Sequence, residues 1–219
     1  MSTLQKTISP MIRNSRTDFV KGALLESDAN NDPLVQFNLW LEQAMLMNEM
    51  ANAMVLSTVG PKGIPDSRVL LLRDASLGGF TFYTNYKSKK ASDLAKNPNA
   101  CMLFFWPDLE RQVRITGVIK KLSRKNAEQY FASRPFESQV GAHVSIQSSV
   151  TGSRNEMDEK FDILKKQYEG KKVPMPAYWG GFVLMPQSFE FWQGRANRLH
   201  DRLRYTREKR KWQIRRLMP

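Results

Sequence analysis

Two guanidiniums and an imidazole crowd into five consecutive residues near the C-terminus, Arg198-Leu199-His200-Asp201-Arg202, just after Phe191-Trp192-Gln193-Gly194. His143 is the only other histidine of the chain. Such a density of cationic and proton-transferring groups is costly to bury without an anionic partner, which suggests a ligand site; the same residues also suit solvated strand-edge charges beside a surface histidine. A second constellation is Tyr130 with Arg134, four apart on one face of a helix Lys125–Arg134 that Pro135 ends. With Ser138 they could hold one phosphate; otherwise Tyr130 packs and Arg134 caps the helix. Lys87, Lys89 and Lys90 open a short helix whose free backbone N–H groups favour an anion, with Arg68 on an earlier strand as a further candidate, although for the lysines taken alone a solvated helix start is the better account. Alternation in Arg111–Ile119 turns Val113, Ile115, Gly117 and Ile119 to the core and Gln112, Arg114 and Thr116 away from it. The amide of Gln112 both donates and accepts, which suits the edge of a flavin or pyrimidine ring.

The charge is consistent with anionic ligands. The chain of 219 residues carries a formal +13, and ten Lys or Arg against two acids fall between Gly194 and Pro219. Nucleic acid, an anionic membrane surface or small phosphates could each match this. Arg68, Arg73 and Arg114 recur singly in otherwise apolar strands, and isolated inward charges suit compact phosphates better than a nucleic-acid footprint. The longest apolar run, Ala100–Trp106, is far shorter than the roughly 20 residues that cross a bilayer, so a soluble, cytoplasmic protein is expected. The single cysteine, Cys101, lies in that run and reads as a buried thiol, and a metal site has little support.

The positioning elements follow from punctuation and period. Residues 1–30 read as a flexible arm, and 31–219 as one domain with a helical insert at about 124–170. Asp32-Pro33 starts a helix with the apolar stripe Leu34, Phe37, Leu41, Ala44 and Met45. Strands are expected at Ala53–Val59, Ser67–Arg73, Gly79–Thr84, Ala100–Trp106 and Arg111–Leu122, with a short helix at Lys89–Asn97. Two or three helices fall between Arg124 and Gly170. Four short strands close the chain, at Gly180–Met185, Ser188–Gln193, Asp201–Arg207 and Trp212–Leu217. Strands on both sides of a helical insert, joined by tight turns, predict an antiparallel sheet closed into a barrel with peripheral helices. No glycine-rich phosphate loop is present, so side chains must hold any phosphate.

As an ordered set, Arg68–Arg73, Phe82–Asn85, Ser88–Ala91, Leu109–Val113, Tyr130–Pro135, Ser145–Ser149, Pro176–Phe182, Phe191–Gly194 and Arg198–Arg202 resemble the pyridoxine/pyridoxamine 5′-phosphate oxidase family, from roughly residue 16 onward. The resemblance implies a mostly β fold with α, an FMN-binding split β-barrel, working as a homodimer with FMN at the interface. It implies oxidation of pyridoxamine or pyridoxine 5′-phosphate to pyridoxal 5′-phosphate by hydride transfer from C4′ to flavin N5, with O2 reduced to hydrogen peroxide. By carry-over, FMN contacts fall to Arg68, Val69, Leu70, Leu71, Leu72, Arg73, Tyr83, Thr84, Lys89, Lys90, Gln112, Gln147, Ser148, Trp192 and Arg202. The substrate falls to Arg16, Arg73, Tyr130, Arg134, Ser138, Arg198 and His200, the last two over its ring as the catalytic pair. No metal, nucleic acid or membrane partner is implied.

Four positions depart from the family pattern. Arg73 stands where Lys is usual, Lys89 where Arg is common, Phe19 where an arm tyrosine is typical, and Met50-Ala51 where an acidic residue precedes proline, with Glu49 one place early. Two other readings fit parts of the sequence: a basic RNA-binding barrel stacking bases on Trp192 and Trp212, and a non-catalytic flavin or vitamin carrier.

Overall fold

A computed structural model describes residues 11–15, 17–76, 78–209 and 211–219. Helix α1 (Pro33–Met47) begins where the sequence places it: the Asp32 carboxylate accepts the Leu34 N–H at 2.9 Å, and Pro33 occupies the first turn. Its inward face is Phe37, Trp40 and Ala44 with Gln36, whereas the expected Met45 is exposed. Phe37 meets Phe80 and Phe104 edge-on at 4.9 and 5.0 Å, and Trp40 meets Phe191 at 5.3 Å, so two aromatic rings dock the helix on the sheet.

The strands are β1 (Ala53–Val59), β2 (Pro65–Leu71), β3 (Phe80–Asn85), β4 (Asn99–Trp106), β5 (Arg111–Lys121), β6 (Trp179–Gln193), β7 (Asp201–Glu208) and β8 (Lys211–Arg216). Every pairing is antiparallel, in the order β2-β1-β4-β5-β6-β7-β8, with β3 on β6. The expected closed barrel is not formed by backbone pairing, because β6 forks the sheet. One edge of β6 carries β5; the other is shared, with β3 along Trp179–Leu184 and β7 along Ser188–Gln193. The two strands expected on either side of Pro186 are therefore one. Pro186 is tolerated because the β5–β6 register shifts at Thr116/Gly117, a bulge where a ladder N–H is not required. Only glycine fits there, since a Cβ on Gly117 would lie 2.1 Å from the Met185 carbonyl oxygen.

The core faces of β4 and β5 follow the expected alternation, with Met102, Phe104, Val113 and Ile115 fully buried. Cys101 sits on the opposite face of β4 and is only partly buried, contrary to the buried-thiol expectation. Arg114 likewise points outward, to Glu190. Trp212 is no free stacking platform, because its ring meets Phe189 edge-on at 5.5 Å.

Helix α2 (Lys89–Lys96) follows β3, and three helices fill the insert: α3 (Arg124–Ser133), α4 (Phe136–Val144) and α5 (Arg154–Tyr168). Phe131, Val140, Val173 and Trp179 form a second apolar cluster that seats the insert beside the start of β6. Among the described residues no helix is long and apolar enough to cross a membrane. From Lys21 the arm lies along the sheet: its N–H reaches Glu110 Oε2 at 2.9 Å, and Leu24 is 3% exposed.

Candidate active site

The expected residues separate into two groups. The first surrounds two cavities that share Val69, Leu70 and Gln147 in their walls. The smaller, about 420 Å³, is bounded by Asp66 and Arg68 of β2, Lys89 and Lys90 at the start of α2, and Ser148. Arg68, Thr58, Asp93, Lys89 and Asp66 close a ring of polar contacts. Arg68 Nη1 donates to Thr58 Oγ1 at 2.9 Å, Thr58 Oγ1 to Asp93 Oδ2 at 3.1 Å, and Lys89 Nζ pairs with Asp93 and Asp66 at 3.2 and 2.9 Å. Arg68 Nη2 lies 2.7 Å from Asp66 Oδ2 but out of hydrogen-bond alignment, and it has no other partner. The bond to Asp66 holds Lys89 above the usual lysine range.

Lys90 behaves differently. Its ammonium is buried, bonds only the neutral oxygens Gln147 Oε1 at 2.7 Å and Thr84 Oγ1 at 3.2 Å, and is pushed down to about 8 by desolvation and then by Arg68. Thr84 Oγ1 in turn donates to Gln147 Oε1 at 2.9 Å. Ser88, the N-cap of α2, is fully buried with its hydroxyl unbonded.

The larger cavity, about 520 Å³, takes Leu71 and Arg73 from the β2 end, Tyr83 and Thr84 from β3, and Tyr130, Arg134 and Ser138 from the insert. The rings of Tyr130, Tyr83 and Trp179 are nearly parallel, with Tyr83 3.8 Å from Tyr130 and 5.4 Å from Trp179. Arg134 spreads over Trp179 at 4.9 Å, and its buried Nη1 has no partner. Burial, and secondarily Arg73, push the Arg134 guanidinium below its usual range. An uncompensated, desolvated cation at a cavity wall is a seat for an anion. Leu72, expected beside the cofactor, is instead buried in the core, its N–H on the Asn52 carbonyl.

The second group lies where β5, β6 and β7 run side by side. Gln112 pairs in register with Trp192, and Trp192 with Arg202. Arg202 donates Nε and Nη2 to Glu190 Oε1 and Nη1 to the Met218 carbonyl. His200 Nδ1 accepts the Arg195 N–H at 3.1 Å; burial and then Arg198 lower its pKa, which favours a neutral ring with the proton on Nε2. Phe19 stands edge-on to Trp192 and His200 at 5.6 and 5.3 Å. Neither cavity is lined by Gln112, Trp192, Arg198, His200 or Arg202. Arg16 lies outside the described residues. Sequence reasoning missed Glu190, although a lone acid between Phe189 and Phe191 on a strand beside Arg114 was a readable signal. It also missed Trp179 as an aromatic floor, and Arg195.

An antiparallel sheet carries two confluent cavities with cationic side chains in their walls and further polar groups held apart on the same sheet, an arrangement whose chemistry suits anionic ligands. Residues 42–170 match the family described as Pyridoxamine 5'-phosphate oxidase, and residues 179–219 match the Pyridoxine 5'-phosphate oxidase C-terminal dimerisation region. Proteins named pyridoxine/pyridoxamine 5'-phosphate oxidase from Christiangramia forsetii and Legionella pneumophila are 48% and 47% identical to the chain. The first match covers 95% of this chain and 98% of its relative, the second 93% and 95%. A crystal structure of PhzG from Burkholderia lata with tetrahydrophenazine-1-carboxylic acid superposes with a TM-score of 0.84 at 26% identity, over 90% of this chain and 98% of that one. The fold is also that of a pyridoxamine 5'-phosphate oxidase-related, FMN binding protein of Nostoc punctiforme, with a TM-score of 0.71 at 15% identity over 87% and 100% of the two chains. The chain belongs to the pyridoxamine 5′-phosphate oxidase family of oxidoreductases.

Proposed function

We propose that the chain is an FMN-dependent oxidase that converts pyridoxamine 5′-phosphate and pyridoxine 5′-phosphate to pyridoxal 5′-phosphate in the cytoplasm, as a homodimer with FMN between the subunits. The observation that carries this is the pair of confluent cavities, each with a cation lacking an anionic partner: the buried Lys90 in one, and in the other the half-buried Arg134, whose Nη1 is buried. Such a pair suits two phosphate esters, and the nitrogens without a hydrogen bond there, Arg68 Nη2, which is only ion-paired with Asp66, and Arg134 Nη1, fit a cofactor phosphate and a substrate phosphate.

In this reading Arg68, Lys89, Lys90, Gln147 and Ser148 hold the FMN phosphate end, and Val69 to Leu71 with Tyr83 and Thr84 line the floor beneath the ring. Arg73, Tyr130, Arg134 and Ser138 hold the substrate phosphate. Gln112, Trp192 and Arg202 come from the second subunit, because the cavities of one chain do not include them. The chemistry supplied by FMN when bound is two-electron acceptance, a hydride from substrate C4′ to N5, with O2 as terminal acceptor and hydrogen peroxide as product. The protein binds and orients. Arg198 sets the pyridine ring in place, and His200, its Nδ1 already taken by the Arg195 N–H, offers Nε2–H as a donor rather than acting as a base.

The visible spectrum and size of the purified protein test this, followed by turnover with each phosphate ester. A yellow dimer producing pyridoxal 5′-phosphate and hydrogen peroxide is expected. A colourless protein, a monomer that keeps full flavin affinity at high dilution, or a yellow protein without turnover would each refute it.

A further inference from the structure

Arg198 and His200 sit on a loop with unusual backbone. Asn197 and Arg198 have φ of 58° and 64°, two consecutive left-handed residues that both carry side chains. Such a stretch persists only where its surroundings over-determine it. Here the loop ends are tied: Arg195 Nη1 lies 3.0 Å from Asp201 Oδ2, and the Arg195 N–H meets His200 Nδ1 at 3.1 Å.

Asp201 does more than close the loop. It is 8% exposed, Oδ2 also accepts the Leu24 N–H of the arm at 3.0 Å, and Oδ1 takes Arg216 Nη1 of β8 at 2.7 Å. Arg216 Nη2 then donates to the Leu24 carbonyl at 3.0 Å, while its Nε and Nη2 reach Glu26 at 2.8 and 2.6 Å. Leu24 thus has both backbone groups satisfied as a strand residue would, but by side chains. Five residues upstream, Phe19 rests on His200 itself.

We propose that Asp201 is a positioning residue that couples the N-terminal arm to the loop of Arg198 and His200. One carboxylate holds both, so arm docking and loop geometry form a single unit, and the loop keeps its left-handed pair only while Asp201 binds Arg195. The inference rests on the roles of Arg198 and His200 given above.

The test is stopped-flow reduction of the flavin in the holoenzyme by pyridoxamine 5′-phosphate, together with trypsin cleavage after Lys21, in wild type, Asp201→Asn, Arg195→Ala and Arg198→Ala. Asp201→Asn is expected to slow reduction at saturating substrate by at least about tenfold, because a misplaced ring loses its attack geometry. It should also speed cleavage after Lys21. Arg195→Ala, which frees the loop but leaves the Leu24 bond to Asp201, should slow reduction and speed cleavage to a lesser extent than Asp201→Asn. A wild-type reduction rate in Asp201→Asn, or unaltered cleavage at Lys21, overturns the coupling. Should Asp201→Asn fail to fold, Arg195→Ala and Leu24→Pro, which removes the arm's N–H, take its place, and wild-type reduction in both overturns it equally. If Arg198→Ala is slow while these variants are not, the coupling alone fails; if Arg198→Ala reduces normally, the site reading fails and the coupling with it.

Discussion

Glu190 receives both Nε and Nη2 of Arg202 on a single oxygen, Oε1, at 3.0 and 2.9 Å, while its other oxygen pairs with Arg114. A carboxylate 4% exposed thus sits between two guanidiniums from the strands on either side of its own. Removing its charge leaves both cations without their partner. A fully buried pair broken this way costs roughly 3–5 kcal/mol, and the solvent exposure of both arginines lowers the expectation for Glu190→Gln to roughly 2 kcal/mol. Chemical denaturation of the FMN-free protein measures this. A flavin titration should show weaker binding as well, because Arg202 loses its orientation.

Arg134→Ala removes the half-buried guanidinium that lines the larger cavity. Loss of a charge-assisted phosphate contact should cost about 2 kcal/mol or more in kcat/KM, mainly through KM, with the flavin retained. Steady-state kinetics beside the visible spectrum check both halves. Arg73→Lys, which restores the usual family residue, should change kcat/KM only slightly, because Arg73 is exposed where Arg134 is half-buried with its Nη1 out of solvent.

Lys90 sets a pH dependence. Its value near 8 lies below the ordinary 10.5, so the unfolded chain binds more protons between these values, and the FMN-free protein should gain stability as pH rises through that window. Cofactor binding has the opposite sign. A phosphate favours the charged ammonium, so affinity should be greatest below about pH 8 and fall above it. Lys90→Met should raise the thermal midpoint of the FMN-free protein while lowering FMN affinity at least about tenfold. Fluorescence titration across pH 6.5 to 9.5, on the order of one unit either side of the shifted value, reads the profile.

His200→Asn separates donor from base. With Nδ1 occupied by the Arg195 N–H, and burial and then Arg198 holding the ring below the ordinary histidine range, the neutral form of wild-type His200 is favoured. The kcat/KM profile of the variant should keep its shape at reduced height. Loss of one limb of that profile would assign proton abstraction to His200 instead.

Much of this architecture was readable along the chain. β1 spans Ala53–Val59 as expected, and α1 starts at Asp32-Pro33, because caps and alternation are local properties. The long strand β6 was not readable: Pro186 is a breaker by local rules, and only its partner β5, with the bulge at Gly117, makes room for it. The fork that leaves the sheet open is a fact of pairing among β3, β6 and β7, invisible to period or punctuation. The same holds at the site. Lys90, Thr84 and Gln147 were each named, but their mutual bonds join residues up to 63 positions apart. Asp201 stood in a motif noted for its cations, and its partner Leu24 is 177 positions away, in a segment read as a flexible arm.

β6 carries Trp179 at its first residue, beneath Arg134, and Trp192 near its last, in register with Gln112 and Arg202. An extended chain of that length reaches up to about 40 Å, far more than contacts to one ring system can bridge. In the dimer proposed above, each chain would lend opposite ends of this one strand to two different centres. Two impaired proteins with lesions near opposite ends, one at Arg134 and the other at Arg202, should repair each other on mixing. Half of the centres in the hybrids carry both lesions and the other half carry neither. Activity regained in this way is intragenic complementation, a genetic behaviour written into the length of a single strand.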